Sequence, residues 1–130
     1  LQGADAQHAF FDLFVKMMRA AYKANPMDLM EVSEDAAALD KENQKNFLKY
    51  GLHIFRESII LNYMKGELVN LQSNERAFLE KFARFINNQN ITELMEEFNQ
   101  AHYHLERNAN PKILFSDVVI KLTKLIKKGI

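Results

Sequence analysis

The chain has 130 residues and a mass of 15.2 kDa, enough for one domain with a sizeable core. With 48% apolar and 26% charged residues, four Gly, two Pro and no Cys, it excludes a disordered chain, a disulfide scaffold, a Cys-type zinc site and a turn-rich all-β fold. Seventeen basic residues balance seventeen acidic ones, which removes the usual electrostatic case for a nucleic-acid surface.

The pattern predicts an all-α domain of about six helices and no strand. A first helix over about 6–24, with Asp5 as N-cap, carries Phe10, Phe14, Met17, Met18 and Ala21 at three- and four-residue steps. Asn25-Pro26 ends it, and Pro26 opens a second helix over about 26–39 with a thin stripe of Leu29, Val32, Ala36 and Leu39. Asp40 caps a long third helix over about 41–65, apolar at Phe47, Leu48, Leu52, Phe55, Ile59, Ile60 and Tyr63, with Gly66 as its C′ residue and 67–72 as a connector.

Ser73 or Asn74 caps the fourth helix, which carries Phe78, Leu79, Phe82, Phe85 and Ile86. Asn90 and Glu93 have capping-box spacing for a fifth helix over about 91–108. Asn110-Pro111 opens the sixth, over about 111–128. Its first half leaves little polar face, because Ile113, Leu114, Phe115, Val118, Val119 and Ile120 crowd it. Such a helix needs cover on more than one side, from its own domain or from a partner subunit. The stripe Phe115, Val119, Leu122 and Ile126 is the candidate seam.

Charge is uneven along the chain. Six acids against Lys41 give a net of −5 over 28–42, and five Lys against Asp117 give +4 over 111–130. The chain starts Leu1-Gln2-Gly3-Ala4-Asp5, without Met and without the segments of a secretory signal, and reads as a fragment of a longer protein. No run of about 18 apolar residues predicts a membrane span.

Catalytic signals are weak. His102 and His104 are two residues apart and point away from each other on a helix, so they do not share a metal, and no metal is expected. Adjacent Glu96 and Glu97 read as a solvated face, and Ser58 and Ser116 lack a Gly-flanked elbow. No Gly-rich phosphate loop occurs, so no nucleotide or other cofactor is expected within these residues. Lys121, Lys124, Lys127 and Lys128 suit the negative end of a helix dipole and have no interleaved aromatics for stacking on bases.

One segment is more specific: His104-Leu105-Glu106-Arg107-Asn108-Ala109-Asn110-Pro111-Lys112-Ile113-Leu114-Phe115. With Lys45-Asn46-Phe47-Leu48-Lys49-Tyr50, Phe55-Arg56-Glu57-Ser58, and Leu61-Asn62-Tyr63 followed by Glu67-Leu68-Val69, it resembles the C-terminal region of bacterial DNA polymerase III delta-prime subunits. The similarity is densest over 46–125. The resemblance implies a helical collar domain of a cytoplasmic clamp loader, which packs with other subunits into a hetero-oligomeric ring. It implies no catalysis here and little or no direct DNA contact. ATP use and clamp placement on DNA would belong to other domains, and the Ser-Arg-Cys motif of the family's ATPase-like domain does not occur. Within the resemblance, Arg107, Asn108, Asn110 and Pro111 form a structural junction. There Asn side chains bond free backbone groups and Arg107 bridges to a carboxylate or a carbonyl. The alternative is a stand-alone helical adaptor that holds a partner helix in a groove, without catalysis.

Overall fold

The structure, a computed structural model, describes residues 3–64 and 71–130, with side chains from His8 onward. The described residues form six α-helices and contain no strand. They are α1 (Gly3–Lys23), α2 (Pro26–Ala37), α3 (Lys41–Met64), α4 (Ser73–Phe82), α5 (Ile91–Glu106) and α6 (Pro111–Lys128), with a 3₁₀ turn at Ala83–Phe85 after α4. The expected end of the third helix at Lys65, its cap Gly66 and most of the 67–72 connector lie outside the described residues.

The two Asn-Pro signals work as the sequence predicts. Asn25 Oδ1 accepts from the N–H groups of Met27 and Asp28, and Asn110 Oδ1 accepts from those of Lys112 and Ile113. Pro follows each cap, where its missing N–H costs nothing. A left-handed residue stops the preceding helix in both cases: Ala24 at φ 55° and Asn108 at φ 66°. Asn tolerates that region better than Ala, whose Cβ crowds the backbone there. Asp40 caps α3 through the Asn43 N–H at 2.8 Å.

Three starts differ from expectation. Gly3 already lies in α1, so Asp5 sits inside the first turn and not ahead of it. Gln72, not Ser73 or Asn74, is the N-cap of α4, and its N–H donates to Glu75 Oε1 at 2.8 Å. Asn90 precedes α5, but its side chain does not cap that helix. Its amide donates instead to the carbonyls of Phe85 and Leu125, at 2.7 and 2.8 Å, and its oxygen accepts from the Asn87 N–H. Glu93 completes no capping box, because it reaches across to Lys128. Asn90 is 1% exposed, and two carbonyls from distant helix ends outcompete its own helix for it.

In the core, α6 packs on α1, α2 and α5, while α3 runs along α5. Rings connect the layers: Phe14 meets Phe55 at 5.6 Å, and Phe55 meets Phe98 at 4.9 Å. Gly51 of α3 allows that closeness. A Cβ there would lie 2.3 Å from Phe98 Cε2, inside van der Waals contact. The C-terminal end of α6 docks as tightly: a Cβ on Gly129 would meet the Phe85 carbonyl oxygen at 2.3 Å.

Candidate functional site

The seam of the sixth helix lies within the domain. Phe115, Val119, Leu122 and Ile126 are at most 2% exposed, so their surface is already covered by helices of the same chain. Cover on several sides is real but incomplete. Ile113 and Ile120, on the opposite face of α6, are 72% and 53% exposed.

The junction residues hold the α5–α6 turn. Arg107 Nη1 donates to the Tyr103 carbonyl at 3.3 Å, the carbonyl of the two expected partners. Its guanidinium also lies 3.6 Å from the Tyr103 ring centre, a cation–π contact. Asn108 Oδ1 accepts from Lys41 Nζ at 2.7 Å, which ties the turn to the start of α3. Together with the Asn110 cap and Pro111, these contacts form an intramolecular turn in which each polar side chain has a partner.

Several titratable groups of α5 and α6 pair with one another. Glu96 is exposed, as expected of a solvated face, while Glu97 is half-buried; both line a shallow cleft of about 450 Å³ between α5 and α6. Lys121 fills part of it, 3.5 Å from Glu97 and 2.9 Å from Asp117. Burial pushes the Glu97 carboxyl above its ordinary pKa, and Lys121 only partly opposes this. The hydrogen bond to Asp117 raises Lys121 in turn. His102 stands 3.6 Å from Glu106, and His104 does not join it. No three His, Asp or Glu side chains converge as a metal site among the described residues. Ser58 donates to the Ile54 carbonyl at 2.7 Å and is fully buried. No described helix is long and apolar enough to cross a membrane.

A groove of about 970 Å³ lies between α1 and α4, edged by the start of α2. Its floor is a row of rings. Phe11 meets Phe78 edge-on at 6.1 Å, and Phe78 stacks on Phe82 at 5.1 Å. Phe82 meets Phe85 at 5.2 Å, and Phe85 meets Tyr22 at 5.1 Å. Phe11, Phe78 and Phe85 are only half-buried, and Tyr22 is 51% exposed. Tyr50 of α3 holds the far side of α4 by donating to buried Glu75 at 2.5 Å. Burial, and next the Glu75 carboxylate, keep the Tyr50 hydroxyl well above its ordinary pKa.

No protein-family model, curated protein or solved structure matches this chain. An aromatic floor with a charged rim offers apolar area and fixed charge, the chemistry of recognition.

The sequence pattern obscures this groove. The first helix carries a core stripe at Phe10, Phe14, Met17 and Met18, and a second apolar row sits one residue over at Phe11, Val15 and Tyr22. Read together they look like one broad buried face. A ring pair is needed to separate them: Phe10 points at Phe47 and Tyr50, Phe11 at Phe78.

Proposed function

We propose that this domain is an oligomerisation module of the clamp-loader collar type, which helps to hold a delta-prime-like subunit among its neighbours. Catalysis is assigned to none of its residues. ATP use and clamp loading would belong to the rest of the complex.

The sequence resemblance over 46–125 carries this reading. Its most specific segment, Asn108-Ala109-Asn110-Pro111-Lys112, is a complete helix-to-helix turn, so the likeness rests on residues with a shared structural purpose. The all-α architecture is consistent with it. Because the α6 stripe is buried, neighbouring subunits would be met by exposed faces of the helices. A few apolar anchors there would dominate the affinity.

The test is co-purification of the domain with each tagged clamp-loader subunit of its source. Stable association with the ATPase-bearing subunits is the expected result. A domain that is helical by circular dichroism and associates with none of them overturns the collar reading.

The open ring-floored groove favours a second reading, a helical adaptor that grips a partner segment. In that case the domain would function without the ring of subunits.

A further inference from the structure

We propose that α4 is a latched flap: it undocks and unwinds as a unit while the other five helices stay folded, and the Tyr50–Glu75 bond is its latch. α4 forms one wall of the ring-floored groove, so the groove exists only while the latch is closed. The inference is independent of both functional readings above.

Burial sets α4 apart from the other helices. It buries two apolar side chains, Leu79 and Phe82, whereas α6 buries six. Ser73, Asn74, Arg76, Ala77, Glu80 and Lys81 face water. Phe78 meets Phe11 edge-on at 6.1 Å across the groove and stays half-buried. Among the described residues, the backbone of α4 packs most closely on the 3₁₀ turn that follows it. Elements with so little buried apolar contact open at a fraction of the global unfolding free energy. At ten residues α4 is also shorter than the roughly 12–15 residues that an isolated helix needs in water, so it unwinds once it leaves the body.

The two ends of α4 are held differently. Its C-terminal end runs into a turn fixed from outside. Asn62 of α3 donates to the carbonyls of Ala83 and Ile86 at 2.8 Å each, and Asn90 donates to that of Phe85. The turn is therefore the hinge. At the other end, one carboxylate does two jobs. Glu75 Oε1 accepts from the N–H of Gln72, the N-cap, and Oε2 accepts from the Tyr50 hydroxyl of α3 at 2.5 Å. Glu75 is 1% exposed. A carboxylate at that depth is stable only while it keeps its donors. Glu75 is therefore either docked and bonded or out in water, which gives the latch two states.

Native-state hydrogen exchange of the domain, followed residue by residue by NMR at rising urea below the unfolding transition, is the test. The amides of Leu79, Glu80, Lys81 and Phe82 in α4 are expected to exchange at least about a hundredfold faster than those of Phe98 and Ala101 in α5, with little dependence on urea. Tyr50→Phe is expected to speed the α4 amides about thirtyfold, which is about 2 kcal/mol at about 1.4 kcal/mol per factor of ten. Ile126→Val, in the core of α6, is expected to speed the α5 amides about fivefold and to leave the α4 amides unchanged. The proposal is overturned if α4 and α5 share one rate and one urea dependence, which would make the domain a single cooperative unit. It is overturned if only the first amides of α4 are fast while Leu79 to Phe82 keep the rate of α5, the pattern of a fraying helix end. It is overturned as well if Ile126→Val speeds both sets alike, or if Tyr50→Phe leaves the α4 rates unchanged.

Discussion

Two Phe-rich regions of this domain are built from similar contacts and end in opposite states. In the centre, Phe14, Phe55 and Phe98 meet at 4.9–5.6 Å and are fully buried. In the groove, Phe78, Phe82 and Phe85 meet at 5.1–5.2 Å, yet Phe78 and Phe85 stay partly in water. Ring spacing therefore does not distinguish a sealed core from an open groove. The difference is a third layer: α5 closes over the first set, and no described element closes over the second. Sealed rings add stability by leaving water, whereas open rings gain only part of that free energy in the folded domain.

Truncation of one ring from each set should expose this difference most strongly. Phe98→Ala is expected to cost about 4 kcal/mol of unfolding free energy, because it empties a packed site. Phe78→Ala is expected to cost about 1 kcal/mol, since its ring is half-solvated already. Urea unfolding followed by circular dichroism measures both. Equal losses would show that the groove rings are as much a part of the core as Phe98.

Asn90 ties the groove to the end of α6. Its amide holds the carbonyl of Phe85, a groove ring, and the carbonyl of Leu125, in the last turns of α6. Asn90→Ala takes the side-chain donor from the Phe85 carbonyl and leaves the Leu125 carbonyl only the Gly129 N–H, at an expected cost of about 3 kcal/mol. Asn90→Asp keeps the shape but loses the donor, and should fall at least as far. If the alanine variant melts within a degree or two of the parent, the joint between the groove and α6 is not structural.

These residues also show what the sequence conveys and what it hides. Asn25, Asp40 and Asn110 are readable as caps because each acts on its own helix, within three residues. Asn90 has the same chemistry and similar spacing, but its partners are five and thirty-five residues away. No local pattern reveals that competition. The sixth helix is similar: its apolar excess is visible, yet only packing decides that Phe115 and Val119 turn inward while Ile113 and Ile120 face water. The site is the least legible part. Its floor joins residues of α1 to residues about sixty positions later, and each row alone resembles core.

Tyr50 and Glu75 pin the groove wall to the central layer, and this bond gives the comparison a dependence on pH. Tyr50→Phe leaves one oxygen of a buried carboxylate without its donor, an expected cost of about 2 kcal/mol at neutral pH. The Tyr50 hydroxyl is held above its ordinary value near 10, so the fold favours the protonated form. Its contribution is complete below pH 10 and is lost as the pH climbs beyond that value. The stability gap between the parent and Tyr50→Phe should therefore be constant from neutral pH to about 9.5 and narrow above it. A gap that stays constant through strong alkali would mean that the hydroxyl ionises as freely in the fold as in the unfolded chain.

The smallest expected effect has the opposite sign and tests how well the sealed side is finished. Glu97 faces the α5–α6 cleft, where burial raises its pKa more than Lys121 lowers it. A raised carboxyl favours the fold when protonated, and that benefit is lost as the pH rises through the folded-state pKa. At neutral pH the ionised Glu97 is a net liability, although Lys121 stands 3.5 Å from it. Glu97→Gln keeps the shape, removes the buried charge and leaves Lys121 its closer partner, Asp117. It is expected to raise stability at pH 7 by up to about 0.5 kcal/mol. The gain should disappear toward pH 3, where the parent carboxyl is protonated in both states. A loss at pH 7 would reverse the assignment: the Lys121 contact would outweigh desolvation, and the α5–α6 cleft would be held together by its charges rather than in spite of them.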